Sequence, residues 1–176
     1  IEAAIAEARA AGAQGRFLRR YWIPAAKSSE LVADGDPVRL MLLGERLIAF
    51  RDSSGRVGVM DHRCSHRNAS LFYGRNEQGG LRCIYHGWKL DVAGNVVEMP
   101  CERGDPASME RIKQLSYPVR EAGGIVWAYL GPRETAPPFP AFEWMSLPAS
   151  HVHVQKILLE CNYLQSIEGG IDSAHI

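Results

Sequence analysis

Two short stretches carry residue types that can hold metal. DHRCSHRNAS supplies Cys64 and His66, and CIYHGW supplies Cys83 and His86. Together they read Cys-x-His-x16-Cys-x2-His, so each half brings one thiol and one imidazole. A chain with four cysteines and six histidines places two of each in this one pattern. Both halves lie where turns would close short strands, so two loops can converge on one centre.

Three readings of the set compete. A structural Cys2His2 zinc site uses similar ligands, but zinc modules usually space paired ligands by two or more residues and often keep Cys with Cys. Core cysteines beside surface histidines would be coincidence. A [2Fe–2S] cluster with two cysteines on one iron and two histidines on the other needs loops that each reach both irons, which mixed pairs allow. Two neutral imidazoles make such a cluster less anionic than an all-thiolate one, so it takes up an electron more readily. Trp88 is expected to cover one side of the centre and limit water, with backbone N–H groups of the turns donating to sulfur.

The elements that must position these loops are short and β-like. PVRLMLLGERLIAFRDSSGRVGVMD gives three strand-type runs with turn signals at LGER and DSSG. LRCIYHGWKLDVAGNVVEMP and QLSYPVREAGGIVWAYLG continue the style, with turns at AGN and EAGG. The spacing predicts a small antiparallel β-domain over 37–131. Residues 1–13 read as a helix fraying at Gly12 and Gly15, and RFLRRYWIPAA as an extended arm, giving an N-terminal segment over 1–36. PRETAPPFPAF, with four prolines in eleven residues, reads as a linker opening a segment over 132–176. There, SHVHVQKILLECNYLQ begins as a strand, and SIEGGIDSAHI reads as a helix with a Gly-Gly interruption.

Composition bounds the partners. Basic and acidic residues balance at twenty each, so nothing points to nucleic acid or an anionic membrane. No apolar run approaches the roughly 18–20 residues that span a bilayer. The chain is too long and too rich in core residues to need disulfides, so ligand thiols in a reducing cytoplasm are expected. Starting at Ile1 and stopping at Ile176 inside an expected helix, both ends read as cut.

CSHRNAS, YHGW, YWIPAA and FRDSSG resemble the Rieske domain of ring-hydroxylating oxygenases, and the resemblance covers nearly the whole chain. Neither ligand loop has the extra cysteine of respiratory Rieske proteins. The resemblance implies an α+β chain: a small antiparallel all-β Rieske [2Fe–2S] domain plus the truncated start of a helix-grip-type catalytic domain. It implies that Cys64, His66, Cys83 and His86 bind the cluster. In the family, Asp-x2-His-x4-His supplies a bridging aspartate and two ligands of a mononuclear Fe(II), completed by a distant carboxylate. Asp172 and His175 match the first two positions, and their spacing predicts one helix face. The next histidine would fall past Ile176.

EGGIDSAHI looks most like the phthalate dioxygenase branch. The implied protein is an oxygenase (alpha) component that activates O2 to hydroxylate an aromatic, carboxylate-bearing substrate. Electrons would come from NAD(P)H through a separate flavin/iron-sulfur reductase, and subunits would form a homotrimer or higher assembly. The alternatives are an O-demethylase or N-dealkylase monooxygenase of the same family, or a Rieske ferredoxin carrier. The residues beyond Pro132, with Asp172 and His175, argue against the carrier.

Other residues receive plainer expectations. Asn162 is expected to bond to helix backbone, and Glu168 receives no role. His151 and His153 are expected on an exposed strand face, His62 on the surface, and Cys101 and Cys161 as buried thiols. Arg19 and Arg20 are expected on a solvated face. Arg63 and Arg67 either dock another protein or solvate the loop.

Overall fold

A strand that reads as a continuous apolar run must be covered on both faces, because successive side chains point to opposite sides. Leu47-Ile48-Ala49-Phe50 is such a run, within a strand spanning Glu45–Arg51. In the computed structural model, which describes residues 12–101 and 106–175, this strand is shared by two cores. Leu47 and Ala49 pack with Ala26, Leu40, Val126 and Ala128. Ile48 and Phe50 pack with Leu71, Leu81, Trp88 and Leu90. The next strand, Val57–Asp61, divides likewise, with Val59 in the first core and Met60 in the second.

The described residues hold eleven strands in three antiparallel sheets. One sheet joins β1 (Trp22–Lys27), β11 (Ile125–Tyr129) and β10 (Val119–Ala122). The second runs β2 (Val38–Leu42), β3 (Glu45–Arg51), β4 (Val57–Asp61) and β9 (Ser116–Tyr117). The third runs β5 (Arg75–Glu77), β6 (Gly80–Arg82), β7 (Lys89–Leu90) and β8 (Val96–Glu98). The expected turns fall between these strands. At LGER, Leu43 and Gly44 both take positive φ, 47° and 80°, as a tight two-residue hairpin requires. At DSSG, the buried Asp52 carboxylate accepts from the N–H groups of Ser54 and Arg56, each at 2.9 Å.

Several expectations are corrected. Residues 1–11 of the expected first helix lie outside the described residues. Among the described residues a helix, α1, spans Gly12–Leu18 and continues through Gly15, where fraying was expected. The arm after it is hydrogen-bonded strand β1, and its Pro24 is tolerated because β1 is an edge strand. Arg19 is not solvated: it is 6% exposed and paired with Glu45, whose carboxylate also accepts from the Tyr117 hydroxyl. Burial and the adjacent Glu45 carboxylate push the Tyr117 hydroxyl well above its ordinary range.

The strand expected from residue 151 does not form. Ala149–His151 is a short 3-10 turn, and 152–160 has no regular element. A strand must place its N–H and C=O groups on a neighbour, and no strand of the described residues pairs with this stretch. A second helix, α2, spans Pro106–Arg111 and a third, α3, spans Tyr163–Ile171. No helix of the described residues is long and apolar enough to cross a membrane.

Candidate metal centre

The first ligand loop follows β4, and the second links β6 to β7. Both use the same backbone frame. Cys64 N–H donates to Ala69 O at 2.8 Å, and Cys64 O accepts from Asn68 N–H at 2.9 Å. Cys83 N–H donates to Trp88 O at 2.8 Å, and Cys83 O accepts from Gly87 N–H at 3.1 Å. The residue four after each cysteine takes positive φ, 57° at Asn68 and 75° at Gly87. Asn tolerates that conformation and Gly accepts it without strain. Gly87 is also fixed by space, since a Cβ there would meet Pro100 Cγ at 2.9 Å.

These frames sort the side chains like with like. The Cys64 and Cys83 thiols are buried together and interact, with 1% and 3% of each residue exposed. The imidazoles lie further out, half-buried, with His66 Nδ1 and His86 Nδ1 3.1 Å apart. Burial pushes the Cys64 thiol up to about 11. The N–H groups of His66 and Arg67 pull in the other direction by donating to its sulfur, while neighbouring Cys83 adds to the rise. A cation bound beside it would favour the Cys64 thiolate. Among the described residues, no three His, Cys, Asp or Glu side chains converge on one ion. Two pairs, one sulfur and one nitrogen, suit two irons better than one zinc.

Trp88 covers the centre as expected. Its ring stacks on His66 at 4.4 Å and 3°, and the residue is 4% exposed. Its Nε1 is buried without a hydrogen-bond partner in the protein. An orphaned donor beside paired thiols and imidazoles fits a site that receives an anionic sulfide-bearing group.

Arg82, directly before Cys83, had drawn no expectation. Its guanidinium donates to Gly87 O at 2.9 Å inside the second loop. It is held by Glu77 at 2.7 Å and Glu98 at 2.6 Å, and Glu98 also takes Lys89 Nζ at 2.7 Å. The hydrogen bonds from Arg82 and Lys89 hold the Glu77 and Glu98 carboxyls below their ordinary value. The four charges are scattered over 77–98 and meet only once the register of β5 to β8 is known.

Around the loops, Arg63 and Arg67 are exposed, and His62 is half-buried with Nδ1 3.0 Å from Arg46 O. Cys101 and Cys161 are exposed rather than buried; neither falls on a strand or helix that could turn it inward. His151 and His153 are exposed, though not on a strand.

The second candidate site differs from the expectation in its local structure. Helix α3 starts at Asn162, whose side chain accepts from Leu164 N–H at 2.9 Å, so the plain capping role holds. The helix continues through Gly169-Gly170 and stops at Asp172, which has extended dihedrals. Asp172 Oδ1 accepts from Ala174 N–H at 2.9 Å, starting the 3-10 turn Ser173–His175. Asp172 and His175 therefore share a cap and turn, not one α-helix face, because a short acidic side chain competes with the helix for backbone N–H groups. Asp172 and Glu168 are exposed.

Three antiparallel sheets presenting two loops of mixed thiol and imidazole donors define an iron–sulfur electron-transfer domain. Residues 21–118 match the family described as Rieske [2Fe-2S] domain, and residues 128–176 match that described as LigXa C-terminal domain like. The chain is 51% identical over 161 residues to the 3-chlorobenzoate-3,4-dioxygenase oxygenase subunit of Comamonas testosteroni, covering 92% of this chain and 37% of that protein. It is 49% identical over 162 residues to the phthalate 4,5-dioxygenase oxygenase subunit of Pseudomonas putida, with the same coverage. The crystal structure of dicamba monooxygenase bound to dicamba aligns with a TM-score of 0.63 at 33% identity, over 71% of this chain and 39% of that one. The chain belongs to the Rieske [2Fe–2S] domain family. It spans 37% of the length of these curated relatives.

Proposed function

We propose that this chain is the electron-receiving part, and the opening of the catalytic part, of a terminal oxygenase component. Cys64 and Cys83 hold one iron of the cluster, and His66 and His86 hold the other. The sorting of thiols and imidazoles into separate pairs carries this reading. When bound, such a cluster accepts one electron at a higher potential than an all-thiolate cluster. Buried thiols and outer imidazoles set the direction of entry: the histidine edge is the part nearest solvent. Trp88 excludes water from one side of His66 and fixes its ring plane.

Residues 37–131, together with strand β1, which pairs with β11, form the cluster domain, and 132–176 form the linker and the start of the catalytic domain. His175 is a ligand of a mononuclear Fe(II), whose chemistry when bound is activation of O2. Asp172 orients ligand histidines through its carboxylate, fixing their tautomers. The substrate is an aromatic carboxylate, by analogy with the chlorobenzoate and phthalate relatives. A separate flavin/iron-sulfur reductase delivers electrons from NAD(P)H in the cytoplasm, and the working assembly is a homotrimer or higher. The alternative is a monooxygenase outcome such as O-demethylation, favoured by the likeness to a monooxygenase structure.

Two measurements on full-length protein test this. Anaerobically prepared protein should contain acid-labile sulfide with an equal amount of cluster iron, plus the mononuclear iron, whereas one zinc and no sulfide would defeat the cluster. Asp172→Ala should keep a reducible cluster yet form almost no product in a single turnover normalised to metal content. A near-normal yield would leave Asp172 as a helix cap only.

A further inference from the structure

Gln114 lies outside both ligand motifs, in the segment between α2 and β9, and is 3% exposed. Its side-chain amide is fully used. Nε2 donates to Asp61 O at 3.1 Å and to Arg63 O at 2.8 Å, and Oε1 accepts from Ser65 N–H at 2.8 Å. The Arg63 carbonyl belongs to the peptide plane entering Cys64, and the Ser65 N–H belongs to the plane leaving it. Each plane is rigid. One amide therefore fixes both planes that flank Cys64, and with them the direction of its Cα–Cβ bond.

The backbone of Gln114 is tied to the other ligand-bearing sheet. Its N–H donates to Gly94 O at 2.8 Å, in the turn that joins β7 to β8. Gly94 has φ of +82°, and a Cβ there would lie 2.4 Å from Gln114 O. Strand β7 begins directly after Trp88, the last residue of the second loop. The neighbouring Leu115 O accepts from Asp61 N–H at 2.9 Å, and Ser116 Oγ donates to Ala93 O at 2.6 Å. Gln114 thus grips the first loop by its side chain and the sheet of the second loop by its backbone.

We propose that Gln114 is the positioning residue that sets the spacing and orientation of the Cys64–His66 loop relative to the Cys83–His86 loop. This rests on the ligand assignment above. The chemistry selects a carboxamide, since two donors and one acceptor are needed on one side chain. A glutamate would place charge against two carbonyl oxygens. A leucine would take this partner from the Asp61 and Arg63 carbonyls and from the Ser65 N–H.

The test uses full-length, cluster-loaded protein and three variants: Gln114→Leu, Gln114→Asn and the control Asn76→Leu. Asn76 is also a buried amide, but it holds Gly35 O and Arg51 O, not a ligand loop. Iron and labile sulfide are assayed first. Then the g-values of the reduced cluster and its bleaching rate under chelator are measured at a temperature where circular dichroism shows intact fold. Gln114→Leu should bleach about 10-fold faster than the parent, with shifted g-values. Gln114→Asn, one methylene short, should fall between the two. Asn76→Leu should lower the melting temperature and leave both cluster readouts at parent values. Gln114→Leu bleaching at the Asn76→Leu rate, with unshifted g-values, would overturn the proposal. If Gln114→Leu does not fold, unchanged g-values and bleaching in Gln114→Asn overturn it equally. Parent protein lacking iron and sulfide defeats the ligand assignment and this inference with it, whereas normal parent loading with indifferent Gln114 variants defeats the inference alone.

Discussion

In the first ligand loop, Cys64 exchanges backbone bonds with Asn68 and Ala69; in the second, Cys83 does the same with Gly87 and Trp88. The histidine sits two residues after the cysteine in one loop and three after it in the other. What holds each loop also differs. A buried neutral amide, Gln114, braces the first. A guanidinium, Arg82, braces the second through Gly87 O while two partly exposed carboxylates hold it in turn. One backbone frame can thus be secured by two kinds of force. The neutral brace depends on hydrogen-bond geometry in a dry place, and the charged one on ion pairing that salt and acid can reach.

The largest effect should erase the difference between the loops. Cys64→Ser and Cys83→Ser should each reduce labile sulfide and cluster iron to near zero, since each removes a thiolate from the same pair. A variant of one loop that retained a full cluster would break the equivalence.

Arg82→Leu should sharpen the contrast. It strips Glu77, Glu98 and Gly87 O of a shared partner, and should lower the urea unfolding midpoint at low salt. Raising salt to about 1 M should narrow that gap, because the partners left behind are partly exposed. The corresponding loss in Gln114→Leu should hardly change with salt.

The smallest effect is a pH difference. Glu77 and Glu98 are held below their ordinary value of 4.5 by the basic partners. Their contribution is complete above the unfolded value and is lost as pH falls through the lower folded values. The melting-temperature gap between parent and Glu98→Gln should therefore be constant above about pH 4.5 and close below it. A gap that persisted in strong acid would remove the charged brace from the comparison.

The convergence of Cys64, His66, Cys83 and His86 was legible because both motifs are local: four residues in two short stretches. The β-domain was legible because turn chemistry at LGER, DSSG, AGN and EAGG punctuates it. Gln114 and Arg82 were not, since each acts across strands whose register the sequence does not display. Arg19 misled for the same reason. It reads as one of two adjacent arginines, and only its meeting with Glu45 makes it interior. The segment after Pro132 misled differently. Its apolar residues Leu158, Leu164 and Ile171 stay exposed, so local pattern alone had to decide between strand and coil there. Asp172 shows the same limit: three-residue spacing suggested a helix face, while its side chain ends the helix instead.

The pairing of like donors across unlike loops has a consequence for biogenesis. Each loop brings one thiol and one imidazole, so a nascent chain that has closed only one hairpin offers no iron two ligands of its own kind. On the proposed ligand assignment, both like pairs are complete only after β4 and the β6–β7 hairpin have formed and been brought together.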